Sequence, residues 1–216
     1  MAQGKVVDLG CGCKPYRDIF TEAESYVGID LPVQQSANKL KKTVDVYGDL
    51  AALPFRDAVC DTILCTQVLE HVPNPASVLR EAARIMRPGG TIIISVPFMA
   101  TEHEEPHDYF RYTHYGMRAL LQANGFEVVE TRKQFGFWSA IGESIYWHFQ
   151  RKVARTRLEK YWYAFGVTVF MRAFHLLNWL DPDDKLALNL CVVARRVGTQ
   201  VSAQPASNAG RSSLAA

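Results

Sequence analysis

Residues 5–12 read KVVDLGCG, and the fold turns on them. A short β-branched run, KVVDL, stops at Gly10-Cys11-Gly12. Two glycines one residue apart let a backbone turn tightly and come close to a ligand. The pattern then repeats along the chain. YVGI (26–29) ends at Asp30, and a weaker run, VDVY (44–47), ends at Gly48-Asp49. TILC (62–65) and TIIISV (91–96) follow. Between the last two, residues 75–86 place Val78, Leu79, Ala82 and Ile85 at helical spacing, and Pro88-Gly89-Gly90 stops them. Strand, helix, strand at this rhythm predicts an α/β domain, a mostly parallel sheet with helices on both faces. Its apolar strands suit burial on two sides.

Further on, Thr113 is placed to cap a helix to about residue 123, where Asn124-Gly125 ends it. Residues 126–131 and 186–193 read as the last two strands. A helical stretch of unusual composition, about 138–180, lies between them. Residues 1–197 read as one domain and 198–216 as a disordered polar tail.

The chain has 216 residues, enough for one sizeable core. Lys and Arg number 24 against 22 Asp and Glu, too even a balance to signal a nucleic-acid binder by composition, and none is expected as a partner. The first residues carry no basic and apolar leader, and five cysteines is an odd number; both point to reduced thiols in a cytoplasmic setting. Cys11-x-Cys13 has no second pair nearby and reads as small residues in a tight loop.

The strand ends carry the chemistry. Asp30 stands about 20 residues beyond the glycines, where a carboxylate can accept both hydroxyls of a ribose. Asp49 stands where it can accept from an adenine amino group. Asp8 lies directly before the glycines, and Lys14-Pro15 falls where a third glycine would be. A pyrophosphate at a helix terminus tolerates these poorly. They suit a ligand with a cationic amino-acid end and no phosphate.

The stretches VVDLGCG, YVGIDL, GDLAALPFRD and CDTILCTQVLEHVPNPASVLREAARIMRPGGTIIISVP run from residue 6 to 97. In order and spacing they resemble class I S-adenosylmethionine (SAM)-dependent methyltransferases, the type-11 group that includes ubiquinone-biosynthesis enzymes. The resemblance implies a Rossmann-like, seven-stranded, mostly parallel sheet, its last strand antiparallel and inserted between the fifth and sixth. It implies SAM as cofactor. Asp8, Gly10, Cys11 and Gly12 would line the methionine end. Asp30 and Leu31 would meet the ribose and Asp49 the adenine amino group. Leu50 would pack on the purine and Gln67 lie near the sulfonium. Relatives usually carry helices ahead of the first strand, where this sequence has four residues. Either the insertion covers the cofactor in their place, or the reading frame starts late. Glu70-His71 follows the fourth strand, and His71 reads as a packing or capping residue.

The loop PFMATEHEEPHDYFRYT (97–113) follows the fifth strand, at the edge where open α/β sheets bind ligands. His103-Glu104-Glu105-Pro106-His107 matches H-E-x-x-H in letters, but that site needs a helix and Pro106 opposes one. No metal is expected. The loop's titratable groups suggest a substrate-side role, with His103 or His107 as general base and Asp108 as orienter or alternative base. It resembles loops in relatives linked to cell-surface polysaccharide or lipid modification.

RKVARTRLEK (151–160) has five basic residues and one acidic. The following 20 residues carry one certain charge, Arg172. Thr168, Arg172, His175 and Asn178 recur at helical steps, which predicts an amphipathic helix and not a membrane span. Two readings stand. In one the helix is a lid, with Phe165, Val169 and Leu176 packed inward and Arg172 and His175 in water. In the other residues 151–180 lie on an anionic membrane surface. The expected activity is methyl transfer from SAM to a small-molecule, sugar or lipid-linked acceptor, most simply at oxygen. A non-catalytic SAM-binding or membrane-adaptor protein is the alternative. An NAD-dependent oxidoreductase fits the glycine turn less well.

Overall fold

A computed structural model describes residues 4–32, 43–150, 168–170, 172–174, 176–180 and 185–198. Strands β1 (Gly4–Leu9), β2 (Ala23–Asp30), β3 (Val46–Tyr47) and β4 (Cys60–Thr66) come first. Then come α1 (Pro75–Ile85), β5 (Met86–Pro97), α2 (His114–Ala123), β6 (Phe126–Gln134), α3 (Phe137–Gln150) and β7 (Asn189–Arg196). They build one seven-stranded sheet in the order β3-β2-β1-β4-β5-β7-β6. All pairs from β3 to β5 are parallel, and β7 runs antiparallel between β5 and β6. This is the Rossmann-like methyltransferase topology expected from the sequence.

The core follows from alternation along the strands. Val7, Leu9, Ile63, Cys65, Ile92 and Ile94 join Val78, Leu79, Ala82 and Ile85 of α1 and Met117 and Leu121 of α2 in one buried cluster. The α1 residues are those whose spacing marked the helix. Asp8, between Val7 and Leu9, projects from the other side of β1 and is also buried. The Thr113 side chain accepts from Gly116 N at 3.1 Å and caps α2. All five cysteines are free.

Several boundaries differ from expectation, each for a local reason. Helix α1 stops at Ile85, because Met86 is already extended and pairs with Cys60. Between β1 and β2 there is only a 3₁₀ turn, Arg17–Ile19. Strand β3 is shorter than VDVY: Asp45 meets Gly28 by donating its N–H to the Gly28 carbonyl (3.0 Å) and accepting from Gly28 N with its side chain (2.7 Å), and regular pairing begins only at Val46. β6 and β7 run three residues further than their apolar runs, through Gln134 and Arg196. β6 forms the sheet edge, and an edge strand tolerates polar residues facing water.

The insertion needs a larger correction. Its described helical residues turn Phe170, Phe174 and Asn178 toward α3, at steps of four. Phe174 packs on Trp138 (ring centroids 6.4 Å) and on Phe170 (4.5 Å), and Gly142 leaves space for it. The Asn178 side chain accepts from Trp138 N at 2.9 Å. A short side-chain amide thus satisfies the first turn of α3, where backbone donors have no helical partner. Val169 and Leu176, expected inward, are 54% and 57% exposed. Phe165 and His175 of the same expectation lie outside the described residues, as do the basic stretch 151–160 and the tail beyond residue 198. Among the described residues, no helix is long and apolar enough to cross a membrane.

Candidate active site

The topology lines up the carboxyl ends of β3, β2, β1, β4 and β5 in that order. Each end contributes what the sequence placed there. After β1 the chain folds over β2, with Gly10 N and Cys11 N both donating to the Ile29 carbonyl (2.8 and 3.1 Å). Gly10 has a φ of +69°, and a Cβ there would stand 2.4 Å from Val68 Cγ2, so a side chain has no room. Gly12, at φ +51°, faces open space. Its N–H donates to Asp30 Oδ2 at 2.9 Å, and Leu31 N donates to Asp30 Oδ1 at 2.7 Å. The Asp30 carboxylate is thereby fixed at the tip of β2, beside the glycine turn.

Asp8 is held differently. It is buried, and Tyr26 OH donates to its Oδ2 at 2.5 Å. Burial raises its pKa to about 6, while the Tyr26 hydrogen bond and the Lys14 ammonium act in the opposite sense. Lys14 itself is buried and paired with Asp45 at 2.5 Å. Its stem and the Cys11 thiol lie across Gly28. The Cys11 thiol is pushed up to about 12 by burial and by the nearby carboxylates, so it stays protonated. Its side chain packs, while its backbone forms the turn.

Asp49 accepts from Ala51 N (2.8 Å), an Asx turn that fixes the loop after β3. Leu31 is partly exposed next to Asp30, whereas Leu50 is buried in the core cluster. Gln67 leaves β4 with φ +54°. Both its backbone N–H and its Nε2 donate to Ser95, at 2.8 Å each. Asp8, Gly10, Cys11, Gly12, Asp30, Leu31, Asp49, Leu50 and Gln67 thus share one sheet edge.

The loop after β5 is laced onto the Leu69–His71 turn after β4. Tyr109 N donates to Glu70 O (2.8 Å), and Tyr112 OH donates to Leu69 O (3.0 Å). His71 Nδ1 meets His107 O at 2.7 Å. Within the loop, Arg111 grips Asp108 with both terminal nitrogens at 2.7 Å, and Asp108 also accepts from His103 N at 2.9 Å. The Arg111 hydrogen bonds hold the Asp108 carboxyl down at about 2. A carboxylate so stabilised is a poor proton acceptor and a good anchor. His103 Nδ1 lies 3.0 Å from Thr101 O, and His107 Nδ1 lies 3.2 Å from Tyr109 OH. His103 and His107 do not share a helix: the segment between them is irregular.

Several pairings and environments escaped the sequence reading, although Lys14 and Glu70 themselves were noted in it. Tyr26, Lys14 with Asp45, and Arg111 contact predicted residues only through the fold. Glu70 is fully buried, with no protein donor on either carboxylate oxygen, and burial raises its pKa to about 7. Its position four residues past an apolar strand, in the Leu69–His71 turn, was the one available signal.

Comparison with known proteins agrees with this geometry. Residues 7–94 match the family described as a methyltransferase domain. A probable S-adenosylmethionine-dependent methyltransferase of Mycolicibacterium smegmatis is 31% identical over 136 residues, 58% of this chain and 53% of that protein. A ubiquinone biosynthesis O-methyltransferase of Pseudomonas aeruginosa is 29% identical over 153 residues, 64% of this chain and 63% of that protein. The chain thus spans less than two thirds of these relatives' length. The solved [4+2]-cyclase SpnF superposes with a TM-score of 0.58 at 20% identity, over 92% of this chain and 78% of that one. That likeness concerns the fold alone, since one fold hosts several chemistries. At the edge itself the Asp8 and Asp30 carboxylates stand on either side of the glycine turn, in which Gly12 faces open space. Residues 7–94 thus match a methyltransferase domain, set in a sheet with the Rossmann-like methyltransferase topology.

Proposed function

We propose that this protein transfers the methyl group of SAM to a hydroxyl of a small-molecule, sugar or lipid-linked acceptor. The observation behind this reading is the row of Asp8, the Gly10–Gly12 turn, Asp30 and Asp49 along one sheet edge. Asp8 takes the methionine ammonium, Asp30 the ribose hydroxyls and Asp49 the adenine amino group. Leu31 lies beside Asp30 at the ribose, Leu50 packs on the purine, and Gln67 lies near the reacting centre. SAM supplies a methyl already activated on a sulfonium, so the protein chiefly brings the acceptor into line. His107, an exposed imidazole beside the Tyr109 hydroxyl, receives the acceptor proton at its ring nitrogen. Asp108, locked by Arg111, positions His103 and the loop.

The reading is tested with methyl-labelled SAM and fractionated small-molecule and lipid extracts. Label should pass to a non-protein acceptor. His107→Gln should slow that transfer at least about a hundredfold while SAM affinity holds. A protein that binds SAM but moves no label in any fraction supports the non-catalytic alternative instead.

For the insertion, contact with an anionic membrane surface is the reading we favour over a lid. Trp179 and Leu180 are 78% and 63% exposed, and the sequence carries five basic residues just ahead of them at 151–160. An outward apolar face in a segment that follows a basic stretch in sequence suits a lipid interface better than a cover over the core.

A further inference from the structure

Glu70 poses a physical problem that the methyl-transfer reading leaves open. A fully buried carboxylate with no donor is costly, charged or neutral. Two imidazoles stand beside it. Glu70, His71 and His103 each offer a ligand atom, and these atoms lie within 4.8 Å of one another. His71 Nε2 is 3.9 Å from Glu70 Oε1, and the two rings meet edge-on with centroids 4.9 Å apart.

The outer contacts of both rings matter as much. His71 Nδ1 lies 2.7 Å from the His107 carbonyl oxygen, and His103 Nδ1 lies 3.0 Å from that of Thr101. A carbonyl can only accept, so each Nδ1 is the donor in these contacts, which leaves Nε2 as the nitrogen through which each ring would bind a metal. Imidazoles that bind metal are held in this way, with the second nitrogen donating to a carbonyl or carboxylate.

We propose that Glu70, His71 and His103 form a binding site for one divalent transition-metal ion of the zinc type, with coordination positions left open. Two nitrogens and one carboxylate oxygen favour zinc and its neighbours over magnesium or calcium, which prefer all-oxygen sets. Three protein ligands leave room for a further one, as in catalytic and not structural zinc sites. Donors around a tetrahedral zinc stand about 3.4 Å apart, so the site closes by about an ångström or more on binding. The Leu69–His71 turn and the loop after β5 provide the donors from two segments, which is why their spacing hides the site. The set differs from H-E-x-x-H, and the proposal departs from the expectation of no metal drawn from that motif.

The site lies at the same sheet edge as Gln67, three residues before Glu70. Resting on the methyl-transfer reading, the open positions take an oxygen donor of the acceptor. The substrate class is therefore an alcohol or phenol able to ligate a metal.

The test is calorimetric titration of the metal-stripped protein with Zn²⁺, and visible spectroscopy with Co²⁺, for the parent, Glu70→Gln and His103→Ala. One ion per chain is expected, with cobalt bands typical of nitrogen and oxygen ligands and no thiolate charge-transfer band. Each substitution should weaken binding at least a hundredfold. His103 stands on a partly exposed loop, so its variant keeps the core even if Glu70→Gln alters folding. Equal zinc binding by the parent and by folded His103→Ala overturns the site, as does a thiolate band, which would place the ion on cysteine. SAM titration of the same samples separates the two claims. SAM without zinc removes the metal site and leaves methyl transfer standing; zinc without SAM does the reverse.

Discussion

At the scale of single residues, Asp8 carries a charge that its own fold accommodates poorly. Its folded pKa of about 6 lies above the ordinary carboxylate value. A raised pKa means that the group's contribution to stability is fully present below about pH 4 and is lost as pH rises through 6. At pH 8 the ionised, buried carboxylate costs the cofactor-free protein on the order of 3 kcal/mol. Asp8→Asn keeps an acceptor for Tyr26 and removes the charge. Thermal melts without SAM should therefore show the variant more stable than the parent at pH 8, with the gap closing toward pH 4. Its SAM affinity should fall, because the ammonium loses its counter-charge. In the parent, SAM affinity should weaken as pH drops below 6, by up to tenfold per pH unit, and the variant should lack that dependence. A flat pH profile in the parent would remove Asp8 from the methionine end. Asp108 has the opposite sign. Its depressed pKa gives stability that is present above about pH 4 and lost as pH falls through 2. Asp108→Asn should lower the melting temperature between pH 5 and 8 and slow methyl transfer, with SAM affinity changed less than about threefold. A loss of SAM binding equal to the loss of rate would contradict a positioning role.

At the scale of elements, legibility tracked burial. Strands β1, β4 and β5 and helix α1 were readable because their apolar spacing is dictated by one core. The glycine turn and the strand-end aspartates were readable because strand ends converge on one edge in this topology. β6 and β7 were read short, since an edge strand and a strand ending in Arg195-Arg196 carry polar residues that periodicity scores as loop. The insertion was misread because a polar residue on a helix face was taken to mark the wet side. Asn178 instead turns inward to hold the start of α3, and Phe170 and Phe174 pack beside it. Glu70 and its neighbours were illegible for another reason: their donors come from separate loops, and only tertiary structure brings them together. Asn178→Ala measures the inward contact. It should destabilise the insertion by about 1 kcal/mol, the usual value of a lost N-terminal cap, and speed protease cleavage within 138–180. Cleavage at the parental rate would argue against the cap.

At the scale of the whole molecule, the proposed function sorts its tasks along one sheet edge: cofactor contacts toward β1, β2 and β3, acceptor chemistry toward β4 and β5. The insertion between β6 and β7 adds an outward apolar face. If that face meets anionic lipid, the parent should float with anionic vesicles at low salt and be released at high salt. Replacing Arg151, Lys152, Arg155 and Arg157 with Gln should abolish flotation without unfolding the protein. No flotation of the parent at low salt would return the insertion to the lid reading. The central claim, that this edge is built for SAM, is met most directly by calorimetry of the parent and Asp30→Ala with SAM, its demethylated product and NAD. The ribose contact is a pair of charge-assisted hydrogen bonds, each worth about 1.5–3 kcal/mol. The parent should bind SAM and its product but not NAD, and folded Asp30→Ala should bind at least a hundredfold more weakly. Undiminished SAM binding by that variant, or tighter binding of NAD than of SAM by the parent, would contradict the account.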